Sequence, residues 1–400
     1  MLDPKIQQAI EAGLDRVMER FAEDHTVVFG SDAERLSELH SGLEERTARW
    51  GRSHECALPD CSALSVKRSH TIQKEGPLRS VSKSGKVLTP RRSFETGQID
   101  LALVGLGKAS VFPGFCPEHE RLFEEFEKDS RLQTERDVLL QLYRTACREQ
   151  FRLEHTVWSL ERLISRYEGI RDRGLATLLE GELGADWMRR NDIHPRSVTA
   201  EDGLTAHARE FLADARVALK TVDEGLRQHL EAAIQDGQSD VVGCVALQVD
   251  MCFPVALSGL GSFYVSEAGQ RRRILVLLGV FPDCDSDSTM LTICAPPSDS
   301  VAVDWYLSRF ESALGLLNMV EQWMIRGTDH WFLHPDVWAE KEEDVRRAIL
   351  DTIEDGSAGI DAPLDFSILN SMRRDMLPMA QRNGCADLAK KEETKLLRFS

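Results

Sequence analysis

Apolar residues return at three- and four-residue steps over three long stretches, and each stretch reads as an amphipathic helix. In residues 4–22 the stripe is Ile6, Ile10, Leu14, Val17, Met18 and Phe21. Residues 129–167 contain no glycine or proline, and Leu139, Leu142, Ala146, Leu153, Val157, Leu160, Ile164 and Tyr167 line one side. Residues 205–236 repeat the pattern with Ala208, Phe211, Ala215, Leu219, Val222, Leu226, Leu230 and Ala233. The irregular connector at 169–200 can reverse the chain, so these two helices predict an antiparallel hairpin. Before them, Thr26-Val-Val-Phe29 predicts a short strand, and residues 31–49 a helix with Ser31 as its cap and Glu34 closing the capping box.

At about residue 240 the period changes. Short apolar runs at 241–249, 254–257, 262–265, 273–278 and 289–294 alternate with turn residues, which predicts an antiparallel sheet of about five strands. Ser258-Gly-Leu-Gly261 reads as a hairpin bend, and Asp283, Asp285 and Asp287 as a solvated turn, because a calcium loop would need a glycine and a closing glutamate that are missing. Residues 300–326 predict a third long helix ended by Gly327. The segment from Thr328 to Pro335 reads as an aromatic connector whose His330, His334, Asp329 and Asp336 point different ways, and a helix follows over 336–353. The last thirty or so residues are polar and predict a loosely attached charged helix at 385–397.

The net charge of −17 excludes a protein that coats nucleic acid along its whole surface. One stretch departs from that average. In residues 64–92 the bases Lys67, Arg68, Lys74, Arg79, Lys83, Lys86, Arg91 and Arg92 face a single acid, Glu75, so any phosphate affinity concentrates there, with Lys67, Arg68, Lys74 and Arg79 as candidate contacts. The alternative is a basic face docked on acidic groups of the same chain. No run of residues is apolar enough to span a bilayer, and the first residues lack the layout of a signal peptide. Nine cysteines, an odd number over a long chain, predict reduced thiols with a metal site rather than a disulfide framework, and hence a cytoplasmic location. Glu149 falls on an apolar helical stripe, where Arg144, Arg148 and Arg152 are near enough to pair with it.

The chemistry concentrates in residues 54–128. Cys56-Ala-Leu-Pro-Asp-Cys61 is a turn that brings two thiols to one point. In Cys116-Pro-Glu-His119, Pro117 suits a first helical position and places Cys116 and His119 on one turn. Cys56, Cys61, Cys116 and His119 match the Cys3His ligand set of a closed structural zinc site, with His54 a rival ligand. Between the pairs stands His70, readable as a packed residue, a zinc ligand or a catalytic base.

The order of parts, a knuckle, then Ser69-His70-Thr-Ile72, then Cys116-x2-His119 at a helix start, resembles treble-clef zinc modules of the HNH endonuclease type. That resemblance implies His70 as general base, Cys56, Cys61, Cys116 and His119 as structural zinc ligands, and a second divalent ion such as magnesium for catalysis. An acidic ligand is usual before the histidine in those nucleases, and Ser69 stands there instead. Gly114-Phe-Cys-Pro-Glu-His-Glu120 also resembles a segment of uncharacterised bacterial proteins, which implies a shared fold without an activity. The expected fold class is therefore α+β: an N-terminal helical segment (1–53), a treble-clef-like zinc module (54–128), a long antiparallel helical hairpin (129–239), a C-terminal antiparallel sheet backed by helices (240–356) and a polar tail (357–400). Two functions are expected from different classes. One is a zinc-stabilised interaction or scaffold protein with a protein partner. The other is an HNH-like nuclease acting on nucleic acid held by the basic stretch, in bacterial defence against phage.

Overall fold

The computed structural model describes residues 3–29, 31–93, 96–237, 243–267 and 269–397. Its helices are α1 (Pro4–Glu23), α2 (Asp32–Trp50), α3 (Glu124–Asp129), α4 (Glu135–Leu183), α5 (Ala185–Arg190), α6 (Gly203–Lys220), α7 (Gln228–Asp236), α8 (Ser300–Leu307), α9 (Ala313–Gln322), α10 (Pro335–Ala339), α11 (Glu343–Asp355), α12 (Asn370–Arg382) and α13 (Ala386–Leu397). Its strands are β1 (Ser69–His70), β2 (Lys86–Arg92), β3 (Ile99–Gly105), β4 (Val111–Phe112), β5 (Gly243–Val249), β6 (Val255–Glu267), β7 (Gln270–Asp283), β8 (Ser288–Ala295) and β9 (Trp331–Leu333). Of the strand expected over 241–249, residues 241 and 242 lie outside the described residues. The chain divides into two compact units, residues 1–51 with 152–219 and residues 52–151 with 220–400, so the division runs through the expected 129–239 segment rather than at its ends.

The first unit is helical. Asp3 accepts from the Lys5 amide at 2.8 Å and Pro4 opens α1, while Ser31 Oγ accepts from the Glu34 amide at 3.2 Å to cap α2. The strand expected at Thr26-Val-Val-Phe29 is instead a single 3₁₀ turn, His25–Val28, because the Asp24 carboxylate captures both the amide and the hydroxyl of Thr26 and folds the chain back. Helix α4 continues well past Tyr167 despite its glycines. At Gly174 the reason is steric: a Cβ there would stand 2.3 Å from the Val28 carbonyl oxygen, so the close approach of this turn requires glycine. Val17, Phe21, Val28, Leu175 and Leu179 form the small core around that contact. The ion pairs Glu168–Arg209 and Glu161–Arg216 run in opposite senses along α4 and α6, which makes this part of the expected hairpin antiparallel.

The second unit is built on a seven-stranded antiparallel sheet in the order β3-β2-β9-β6-β7-β8-β5, together with the small β1–β4 ribbon. Alternation along the central strands sorts two faces. Val255, Leu257, Val276, Leu278 and Val280 pack with Tyr306, Leu317, Val320 and Trp323, whereas Ala256, Phe281 and Phe332 pack with Ile72, Leu78 and Val87.

Several expectations are corrected here. The basic stretch is no mere loop: its last seven residues form β2, which pairs with β3 over their whole length and joins the main sheet through β9. Ser258-Gly-Leu-Gly261 is no bend but the middle of the 13-residue β6. Its glycines serve close packing, since a Cβ on Gly259 would stand 2.2 Å from Thr328 Oγ1 and one on Gly261 2.5 Å from Leu278 Cδ1. The aromatic connector supplies β9, fully buried between β2 and β6. The third long helix is broken into α8 and α9, with Ser312 capping the second through the Gly315 amide at 3.1 Å. The polar tail is anchored: Arg373 of α12, wholly buried, forms ion pairs with Glu321 of α9 and Glu392 of α13. The cysteines depart most from the expectation of uniformly reduced thiols. Antiparallel register sets Cys244 of β5 opposite Cys294 of β8, and the two form a disulfide; Cys252 and Cys284 form another between the β5–β6 and β7–β8 connections. No described helix is long and apolar enough to cross a membrane.

Candidate metal centre

The knuckle is held by its own backbone and by the segment it meets. Cys56 N donates to Ala63 O at 2.9 Å and Ser65 N to His54 O at 2.8 Å, with Asp60 taking a positive φ of 61° at the tip of the turn. Ala57 N then donates to Gly114 O and Val66 N to Phe115 O, both at 2.8 Å, which brings Cys116 beside the knuckle. Gly114 cannot be replaced freely: a Cβ would stand 2.4 Å from the Phe112 ring. After Cys116 the chain turns, with Glu120 N donating to Cys116 O at 3.0 Å, through a 3₁₀ turn, His119–Phe123, into α3. The expected regular helix start is thus a tighter turn, and it still sets Cys116 and His119 on one side.

The four side chains converge. One donor atom from each of Cys56, Cys61, Cys116 and His119 lies within 4.8 Å of all the others, a group that could hold a metal ion, and among the described residues it is the one such cluster of three or more histidine, cysteine or carboxylate donors. His119 Nδ1 is 3.4 Å from both Cys56 Sγ and Cys116 Sγ, which identifies Nδ1 as the inward nitrogen. Cys56 and Cys116 are buried. The backbone amides of His119 and Glu118 hold the Cys116 thiol below its ordinary range, while burial pushes Cys56 up to about 11. A cation would have to displace the Cys56 proton, so its binding releases protons and weakens in acid. His54 is not part of the group; its ring stands edge-on to Phe151 with centroids 4.9 Å apart.

His70 sits in β1, paired with Val111 of β4. Its Nε2 lies 3.3 Å from the Leu106 carbonyl oxygen. Burial holds the imidazole below its usual pKa, and the Arg144 and Lys74 cations push the same way while Glu127 opposes them. Arg144, a candidate partner for Glu149 in the sequence, is the central side chain here. Fully buried, its guanidinium meets Glu127 at 2.7 Å and Glu120 at 3.4 Å, and lies 3.9 Å above the Phe123 ring. Glu149 pairs with Arg148 instead. The signal for Arg144 was its spacing, four residues after Leu140 and three before Cys147, both buried: a cation on a buried face demands counter-charges.

The basic candidates divide. Lys74 and Arg79 both pair with Glu75, Lys83 pairs with Asp336 and Arg92 with Glu354, so part of this face docks on acids of the same chain. Lys67 and Arg68 form no ion pair among the described residues. His330 Nδ1 hydrogen-bonds the Ser258 carbonyl and His334 Nδ1 accepts from the Asp336 amide, so these histidines are spent on packing and capping. In the Asp283–Asp287 turn, Asp283 accepts from the Asp285 amide and the Ser286 hydroxyl. No protein-family model, curated protein or solved structure matches this chain.

Proposed function

We propose that the protein is a zinc-stabilised interaction or scaffold protein. The observation that carries this reading is the closed donor set of Cys56, Cys61, Cys116 and His119. Zinc bonds of about 2.3 Å to sulfur and 2.0–2.1 Å to nitrogen place tetrahedral S···N edges near 3.6 Å. The two 3.4 Å separations around His119 Nδ1 fit that set, and three thiolates with one imidazole leave no open position for substrate. Partner binding is supported by the first unit, whose helices carry Leu163, Leu204, Phe211 and Val217 each more than half exposed. A treble-clef-like module and a cytoplasmic setting, which keeps the three ligand thiols reduced, belong to this reading. The two disulfides weigh against the second part, and thiol labelling before lysis decides it: a reducing compartment delivers Cys252 and Cys284 as free thiols.

One observation favours the nuclease as a second reading. A neutral His70 that donates Nε2–H to Leu106 O keeps Nδ1 as a lone-pair base, on a strand of the ribbon that leads to the metal group. Against it, the carboxylates nearest to hand, Glu120 and Glu127, are already engaged by Arg144. Elemental analysis of the purified chain and of Cys116→Ser tests the first reading, which expects one zinc per chain, lost in the variant; a metal-free wild type overturns it. Nuclease assays with magnesium or manganese test the second. Cleavage abolished by His70→Ala, with folding intact, would establish it in place of the scaffold.

A further inference from the structure

The two disulfides of the second unit differ in what they hold. Cys244 and Cys294 stand opposite each other inside the β5–β8 ladder, whose backbone pairs run unbroken from Gly243 with Ala295 to Val249 with Thr289. Cys294 is wholly buried and Cys244 half-buried, and the ladder joins their strands independently of the bond. Cys252 and Cys284 join two segments that are held unequally. Cys252 lies in a fixed connection: on either side of it, Met251 O accepts from Thr289 Oγ1 at 2.7 Å, and Phe253 N donates to the same oxygen at 3.1 Å. Cys284 opens the β7–β8 turn, residues 284–287, all of them exposed. The side-chain hydrogen bonds of the turn are mostly its own: Asp283 accepts from the Asp285 amide and the Ser286 hydroxyl, and Ser286 Oγ lies 2.7 Å from Ser288 Oγ. Outside its own hairpin and among the described residues, one hydrogen bond ties it down, from the Cys284 amide to Ser80 Oγ at 3.4 Å, near the limit for such a bond. Cys284 Sγ lies 3.7 Å from Ser80 O with no proton to give while the disulfide stands. The disulfide is therefore the firmer of the two ties. Pro282, Asp283, Ser286, Ser288 and Met290, on and beside this turn, line a cleft of about 300 Å³.

We propose that Cys252–Cys284 is a redox latch: reduction by a dithiol frees the β7–β8 turn from its place at the rim of the cleft, and reoxidation fixes it there. A thiolate of the dithiol attacks the exposed Cys284 sulfur, the Cys252–Cys284 bond breaks, and Cys252 leaves as a thiolate. The second thiol of the reductant then displaces Cys284 and closes the reductant's own disulfide, so two electrons and two protons pass to the cysteines. Exchange with an oxidised dithiol runs the same steps backwards. Access decides which bond yields first. Cys284 offers its sulfur at the surface, whereas Cys294 is reached only when the sheet opens. The consequences differ as well. Losing the first bond leaves Cys252 anchored through Thr289 and lets the turn move; losing the second leaves the β5–β8 ladder in place. The inference makes no use of the metal group, so it stands or falls separately from the proposed zinc.

The test starts from the full chain equilibrated with oxidised dithiothreitol and then exposed to the reduced form, with free thiols alkylated at intervals and each pair followed by mass spectrometry. Cys252 and Cys284 are expected as free thiols about tenfold or more sooner than Cys244 and Cys294. Hydrogen exchange over residues 283–288 should then rise, with β6 and the β5–β8 ladder unchanged. The double variant Cys252→Ser, Cys284→Ser should show the same exchange pattern with no reductant present, which separates the latch from any action of the dithiol on the metal ligands. The Thr289 bonds beside Cys252 remain in that variant, so the connection keeps its anchor. Three results would each overturn the proposal: reduction of this pair no faster than that of Cys244–Cys294, no bond between the two cysteines after oxidation, or a turn that exchanges alike in the oxidised protein and the serine variant.

Discussion

Replacing Arg144 by methionine keeps the aliphatic stem that fills its buried position and removes the charge. The guanidinium is wholly buried and is hydrogen-bonded to Glu127 at 2.7 Å and to Glu120 at 3.4 Å. Removing one partner of a buried pair costs about 3–5 kcal/mol because the other charge is left uncompensated. Glu120 and Glu127 retain 25% and 32% of their side-chain exposure, so water solvates part of what the arginine gave up and the low end applies, about 3 kcal/mol. The stacking on Phe123 adds up to about 1 kcal/mol more. The loss must also depend on pH. Burial already holds the Glu120 carboxyl above the usual glutamate range, and Arg144 is the main force opposing it. Without the arginine the folded-state value climbs further, so the folded variant binds more protons than its unfolded chain between the two values, and its stability falls as pH rises through that window. Urea unfolding of both proteins at pH 7 and pH 5 measures this: a deficit near 3 kcal/mol at pH 7 that narrows at pH 5. A deficit under about 1 kcal/mol, or one that widens in acid, refutes the account of this buried pair.

Two more predictions concern the C-terminal part of the second unit. Burial lowers the Lys341 ammonium from 10.5 to about 8, so between those values the unfolded chain binds the extra proton and stability rises with pH. Lys341→Met should remove up to about 3 kcal/mol of this penalty at pH 7, less about 1 for the lost bond to the Ser367 carbonyl, and its advantage should fade by about pH 10; a variant equally or less stable at pH 7 in chemical denaturation contradicts this. Arg373→Met strips the guanidinium from Glu321, which keeps the Ser367, Ile368 and Leu369 donors, and from Glu392, which keeps Lys395 at 2.9 Å, and should cost about 3 kcal/mol, the low end for a broken buried pair, with α13 losing hydrogen-exchange protection first; unchanged protection there would show that α13 does not depend on the pair.

What was legible in the chain is what local physics decides. The helical stripes gave α1, α4 and α6, and the Ser31 cap stands where its spacing with Glu34 put it. The four candidate ligands were legible because Cys-x4-Cys and Cys-x2-His are short-range geometry. Relations set by partners were not. Nothing near Gly259 says that Thr328 will lie against it, so a glycine pair that looks like a turn becomes the middle of a strand. Cys244 and Cys294 are 50 residues apart and meet only through the β5–β8 register. Trp331-Phe-Leu333 is too short to announce a strand, yet it receives hydrogen bonds from both neighbours in the sheet interior.

The long gap between the knuckle and Cys116 is the feature that the fold explains best. The β1–β4 pairing closes an excursion from Thr71 to Ser110, and within it β2 and β3 run into the main sheet, where Leu88 pairs with Leu333 of β9. The two ends of the excursion return to one place, with Thr71 N donating to Ser110 O at 2.7 Å and Ile72 N to Ser110 Oγ at 2.9 Å. Cys56 and Cys61 stand before this closure and Cys116 and His119 after it, so an ion held by all four would clip the base of a loop that the sheet already grips at its far end. Closing a loop of this length is an entropic cost that a metal clip offsets. The knuckle, the ribbon and the β2–β3 edge of the sheet are thus linked by continuous strand pairing, and an ion held at the four ligands would restrain the base of the β2–β3 excursion as well as the knuckle.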